Sequence, residues 1–130
     1  MLEQGLVTLL SERLGVTELV ADRIYPVQGP PDKPTYPFIT YLVASGNSDY
    51  ALDGTEARMK RIQFDSWSLS SLTNLQILTA LRNVLTGFVG TLPDGTIVLF
   101  AARLNEMSDF DNDTKSYRSI CEYEFQFVEA

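Results

Sequence analysis

The acidic run Asp109-Phe110-Asp111-Asn112-Asp113 is the stretch of this sequence that comes closest to a chemical motif. Acids at alternate positions imitate the opening of a calcium loop, which wants oxygen ligands at its first, third and fifth positions. The pattern then fails. Thr114 stands where such a loop turns on glycine, and Ile120 stands where it closes with a bidentate glutamate. A solvated hairpin tip is the better reading. Histidine is absent, which removes Ser-His-Asp and Cys-His nucleophiles, imidazole zinc sites and the commonest general base. Carboxylate pairs stay possible, but none lies in a recognisable active-site motif and any pair would have to come from separate strands. The one cysteine, Cys121, cannot form an internal disulfide or a thiolate cage. It lies among Tyr117, Tyr123, Phe125 and Phe127 at two-residue spacing and reads as a core residue; a reactive thiol needs a basic, exposed setting. Leu52-Asp53-Gly54-Thr55 and Pro93-Asp94-Gly95-Thr96 lack the GxxxxGK[ST] pattern of a phosphate loop and read as turns. These absences argue against an enzyme and point to a protein that acts by packing against others.

A chain of 130 residues fits one domain, 1–130, able to hold a core without disulfides. Its apolar fraction of 45% and mean hydropathy of -0.03 describe an ordinary globule. No apolar run approaches the roughly 20 residues that span a bilayer, and Met1-Leu2-Glu3-Gln4 does not open like a signal peptide. The expectation is no membrane contact and a cytoplasmic location before any assembly step. A net charge of -7 argues against broad phosphate binding, which depends on clustered Lys and Arg. It fits plain solubility, and it also fits a surface past which DNA slides without sticking.

The elements that must hold these residues follow from periodicity. Leu2, Leu6, Leu9, Leu10 and Leu14 predict a helix over Leu2–Leu14 stopped by Gly15, and Thr17–Ala21 adds a short turn. Arg23–Val27 is a brief extended piece. From Gln28 to Pro37, four prolines and Gly29 forbid regular structure and make an arm. Its length exceeds ordinary connections, and loops of that length often carry function. Phe38–Ser45 predicts a central strand covered on both faces. Asp53-Gly54 predicts a turn, and Arg58–Ser68 a returning strand with Ile62 and Phe64 on one face and Trp67 on the other. Ser70 or Ser71 caps a helix, Thr73–Gln76 has capping-box spacing, and Leu72, Leu75, Leu78, Leu81, Leu85 and Phe88 form its apolar stripe, ended by Gly87 and Gly90. A strand over Thr96–Glu106, an acidic loop over Ser108–Ser116 and a strand over Tyr117–Val128 close the chain. The predicted class is α+β: an antiparallel sheet of about four to five strands with helices packed on one face.

This layout resembles the tail-completion (tail terminator, head–tail joining) family of tailed bacteriophages and prophages. The likeness is carried in order by Leu2-Glu3-Gln4-Gly5-Leu6, Arg23-Ile24-Tyr25-Pro26, Pro37-Phe38-Ile39-Thr40-Tyr41 and Leu52-Asp53-Gly54. It continues through Arg61-Ile62-Gln63-Phe64-Asp65-Ser66-Trp67, the leucine helix and Asp113-Thr114-Lys115-Ser116-Tyr117-Arg118. The resemblance implies a structural protein of the virion, at the head-proximal end of the tail. Such proteins cap the tail tube and join it to the head connector, typically as hexamers around the DNA channel. It also implies no catalytic residue, no metal and no cofactor. The partners it implies are copies of itself, the tail tube protein and the connector proteins, with DNA passing unbound.

On that view the proline arm, with Gly29, Pro30, Pro31, Asp32 and Lys33, reaches a neighbouring subunit. The acids Asp109, Asp111 and Asp113 meet an adjoining ring or face the channel. Tyr25, Tyr36 and Trp67 are aromatic anchors, the residue types enriched in interface hot spots. Two other readings remain: a small ligand-binding or enzymatic domain built on paired carboxylates, and a monomeric adaptor unrelated to phage.

Overall fold

The computed structural model describes residues 1–52 and 55–129. In chain order the elements are α1 (Leu2–Ser11), α2 (Leu14–Val20), β1 (Ile24–Pro26), β2 (Phe38–Leu52), β3 (Thr55–Ser68), α3 (Ser71–Leu85), β4 (Gly90–Thr91), β5 (Ile97–Asp111) and β6 (Ser116–Val128). They form a six-stranded sheet in the order β1-β2-β3-β6-β5-β4. β1 runs parallel to β2, and every other neighbouring pair is antiparallel. The class is α+β, but the sheet is mixed and has six strands rather than four to five. The brief extended piece over Arg23–Val27 is β1, three residues long; the strand that the sequence does not predict is β4, whose two residues are too few to print a period. The Asp53-Gly54 turn lies outside the described residues.

Alternation assigns the faces. On β3, Ile62, Phe64 and Ser66 point to the helices; on β6, so do Ser119, Cys121, Tyr123, Phe125 and Phe127, all buried. All of these but Ser66 and Ser119 join Ile39, Val98 and Ala101 with α1 (Leu2, Leu6, Leu9, Leu10), α2 (Val16, Val20) and α3 (Ile77, Leu78, Leu81, Leu85) in one hydrophobic cluster. Each fully buried side chain of this kind contributes roughly 1.5–3 kcal/mol by leaving water. Cys121 belongs to that core, and burial pushes its thiol up to about 12, so it is not a nucleophile at neutral pH.

The first helix is shorter than its leucines suggest. The amides of Glu12 and Arg13 turn back to Leu9 and Leu10, three residues away, which tightens the last turn. Arg13 is extended and Leu14 opens α2, so Gly15 lies inside a helix and Leu14 is 74% exposed. α1 also lies close to the turn before β5: a Cβ added at Gly5 would meet Asp94 Oδ1 at 2.5 Å and Leu92 Cδ1 at 2.9 Å. Alanine is the better helix former, yet Gly5→Ala is expected to destabilise the protein by about 1–3 kcal/mol through overpacking. Chemical denaturation measures this, and a gain in stability would mean that the close approach does not exist.

α3 is capped by Ser70, whose hydroxyl accepts from the Thr73 amide at 3.4 Å; Thr73–Gln76 lies inside the helix and is not a capping box. The helix ends before Gly87, which takes φ +72°, a conformation that glycine adopts without strain. Its far end is tied to β5, where Arg82 donates to Glu106 at 2.8 Å and Arg103 adds a contact at 3.1 Å. Burial alone would raise the Glu106 carboxyl, but the two guanidinium groups outweigh it and hold it below its ordinary value. A depressed carboxyl stabilises the fold fully above its unfolded pKa, and that contribution is lost as pH falls through the folded value. Stability is therefore expected to decline below about pH 4.5 less steeply in Glu106→Gln than in the parent, as followed by urea midpoints across pH.

Candidate functional site

The outer face of the sheet, opposite the helices, should be wet and polar. At one end it is not. Cross-strand register sets Phe38, Trp67 and Arg118 in one row and Thr40, Asp65 and Ile120 in the next. Trp67 thus lies between an aromatic ring and a cation. Phe38 stacks on it with ring centroids 6.2 Å apart, and the Arg118 guanidinium stands 5.2 Å from its ring centre, a cation–π distance. Arg118 also donates from Nη2 and Nε to Asp65 Oδ2 at 2.6 and 3.1 Å. Gln63 Nε2 donates to Asp65 Oδ1 at 2.9 Å, and Trp67 Nε1 donates to Thr40 Oγ1 at 3.2 Å. The buried side chains of Thr40 and Asp65 thus both have partners, which is the condition for burying them.

The cover is the proline arm. It is fastened at both ends: the Val27 amide donates to the Tyr41 carbonyl at 3.0 Å, the Gly29 amide to Pro26 at 2.7 Å, and Arg23 Nε to the Pro37 carbonyl at 2.9 Å. Between these ties the chain folds back across its own sheet. Tyr36 and Tyr25 reach Phe38 with centroids 5.3 and 6.1 Å apart. This cover is why Phe38, Thr40 and Asp65 are buried on an outer face. Leu42 and Val43, further along β2, are exposed, against the expectation of a strand covered on both faces over Phe38–Ser45. Fixed φ angles make a proline-rich segment less costly to order than other chain.

Beneath the arm is a cleft of about 440 Å³ whose walls include Pro30, Pro31, Asp32, Tyr36, Trp67 and Thr114. Five residues that the sequence singles out thus meet in one place, with Tyr25 beside them through Phe38. Gly29 forms the turn at the start of the arm, where a Cβ would meet Pro26 at 3.0 Å. Lys33 is exposed and does not line the cleft. Asp109, Asp111 and Asp113 gather instead around a neighbouring hollow of about 320 Å³ with Phe110 and Arg118. Asp109 and Asp111 belong to β5 rather than to a loop: β5 runs to Asp111 and β6 starts at Ser116, so the acidic tip is shorter than predicted. Arg118 touches Trp67 and lines the acidic hollow, joining the two groups.

The sequence reading missed Arg118, Asp65, Phe38 and Thr40. Their signal was weak: a charge of each sign on the outward positions of two strands whose register was unknown. A further cleft, of about 220 Å³, opens between α3 and the β5–β6 hairpin, and Asn74 lines it with neither amide atom partnered. Among the described residues no group of three or more acidic or thiol side chains converges on a point. The chemistry of the covered face is aromatic stacking, one neutralised carboxylate and proline walls, a composition suited to contact with another surface.

Deleting Gly29–Lys33 removes the cover without touching the core. The expected result is an unchanged far-ultraviolet dichroism spectrum with emission of Trp67, the sole tryptophan, shifted to longer wavelength. Unshifted emission would mean that the arm does not shield the face.

The family described as "Tail completion protein gp17" matches residues 4–127. No curated protein matches the chain. Sixteen chains of solved structures match. One belongs to "Virion of native gene transfer agent (GTA) particle": it is 13% identical, with a TM-score of 0.77 over 99% of this chain and 95% of that one. At that identity the likeness is one of fold.

Proposed function

The chain belongs to the tail completion protein gp17 family, and from that premise we propose that it caps the tail tube and joins it to the head connector as one subunit of a closed ring around the DNA channel. The observation that carries this reading is the family match, which runs from the first helix to the last strand. The fold shared with a chain of a gene transfer agent virion supports it. Its partners are then copies of itself, the tail tube protein and the connector proteins, and its place is the head-proximal end of the tail.

The covered face gives this role a physical basis. Trp67, Arg118 and the arm form an ordered surface from aromatic rings and prolines, so little side-chain entropy remains to be lost when a partner docks. The exposed outer side of the arm, with Pro31, Asp32 and Lys33, is presented beside the acidic hollow of Asp109, Asp111 and Asp113. A net charge of -7 repels phosphate and keeps DNA from adhering to the ring.

Particles made without the chain test the proposal by electron microscopy. Heads and tails should accumulate unjoined, or with tails of irregular length, and resupplying the chain should restore joining. Joined particles with tails of normal length would refute it.

A further inference from the structure

Two long strands each have an uncovered side. β4 covers β5 only at Ile97 and Val98, and β1 covers β2 only at Ile39, Thr40 and Tyr41. The Gly87 amide donates to the Ala101 carbonyl at 2.8 Å; beyond it, among the described residues no strand pairs with β5 along residues 102–111 or with β2 along residues 42–52 on those sides. Each open stretch exceeds a whole ordinary strand, and each leaves backbone N–H and C=O groups free to take another strand. Among the exposed side chains there, Leu104, Met107 and Phe110 on β5 and Leu42 and Val43 on β2 are apolar, beside polar Arg103, Asn105, Ser108 and Asp109. Lysine and proline, the residues that usually protect an edge, are absent from both stretches.

The two edges match in direction as well as in length. Three antiparallel steps, β2 to β3 to β6 to β5, leave β5 antiparallel to β2. A second copy brought alongside by rotation about an axis along the strands presents its β2 antiparallel to β5, with no reversal of the subunit. The short strands set the register. β1 covers the beginning of β2 and β4 covers the beginning of β5, so in antiparallel apposition the two covers fall at opposite ends. Residues 42–52 of one copy then face residues 102–111 of the other. Irregularities in register on both strands, between Val43 and Ser45 and between Asn47 and Tyr50 on β2, and between Val98 and Phe100 and between Arg103 and Asn105 on β5, add local twist and discourage pairing with an unrelated flat edge.

We infer that β5 of each copy pairs antiparallel with β2 of the next, so that the sheet continues from subunit to subunit. The inference rests on the ring proposed above and names the surface that closes it. The contact is head-to-tail, the kind that generates rings when its rotation closes. Main-chain hydrogen bonds hold it, and Phe110 and Met107 meet Leu42 and Val43 across it.

Cysteine cross-linking in assembled particles tests this. Ser45→Cys is combined in one chain with Asn105→Cys or Met107→Cys, and the particles are treated with a short bismaleimide; Cys121, buried in the core, is left in place. A ladder of multimers up to the full ring is expected from at least one double variant and from neither single variant. Joined particles that contain both double variants and yield no ladder would overturn the inference while leaving the ring reading intact. Hydrogen exchange on the unmodified chain needs no substitution: amides in 42–52 and 102–111 should exchange at least ten-fold more slowly in particles than in the free chain. Unchanged exchange in either segment, in particles that hold the chain, would overturn the edge pairing. Joined particles that lack the chain would overturn the ring reading itself.

Discussion

Replacing Arg118 with alanine is expected to destabilise the protein by about 3 kcal/mol, the low end of what breaking a buried ion pair costs. Two donors to Asp65 disappear at once, and Gln63 alone is left to hold a carboxylate whose side chain is 6% exposed. The low end applies because Arg118 itself is 31% exposed, so its removal opens a path for water to the stranded charge. For a chain of this size the loss corresponds to a fall of about 10 °C in Tm. Asp65→Asn should cost less, since the guanidinium it frees can turn toward solvent. A double-mutant cycle over Arg118 and Asp65, measured by urea unfolding, should give a coupling well above the 0.5 kcal/mol within which independent sites add. Additive losses would mean that the two side chains do not meet.

Leu81→Ala is expected to cost about 3 kcal/mol, within the range for a buried leucine, while Leu75→Ala should fall within about 0.5 kcal/mol of the parent. The contrast matters because both leucines belong to the same apparent stripe. Leu81 is fully buried and Leu75 is 55% exposed. Comparable losses at the two positions would show that α3 is rotated about its axis from the orientation described.

That helix shows what the sequence could and could not disclose. Leucines at 72, 75, 78 and 81 recur every three residues, and on a 3.6-residue helix each step slips about 60° around the axis. Leu72 and Leu75 therefore leave the buried face, and Asn74 and Ile77 replace them on it. The strict two-residue alternation of β6 carries no such slippage, and its inward set of Cys121, Tyr123, Phe125 and Phe127 was legible at once. β4 was not, because a strand of two residues is held by its neighbours rather than by its own pattern. Asp109 and Asp111 read as loop residues because aspartate is depleted in strands. Pairing of Asp109 with Arg118 and Asp111 with Ser116 overrides that preference.

The candidate site was half legible. Its arm announced itself through prolines, and its anchors Tyr25, Tyr36 and Trp67 through their type. That the arm folds over its own sheet, and that Arg118 and Asp65 support the face beneath it, depends on register across three strands. Those pairings are set by side chains from Phe38 to Ile120, and no local window contains them.

The role proposed for this chain is that of a ring subunit where head meets tail. A density map of the intact particle at that junction tests it most directly. The expected result is that this fold, with its arm and its β5–β6 hairpin, fits repeated density in a closed ring between tail tube and connector. A junction whose density is filled by other chains, with this fold absent from it, would contradict the claim.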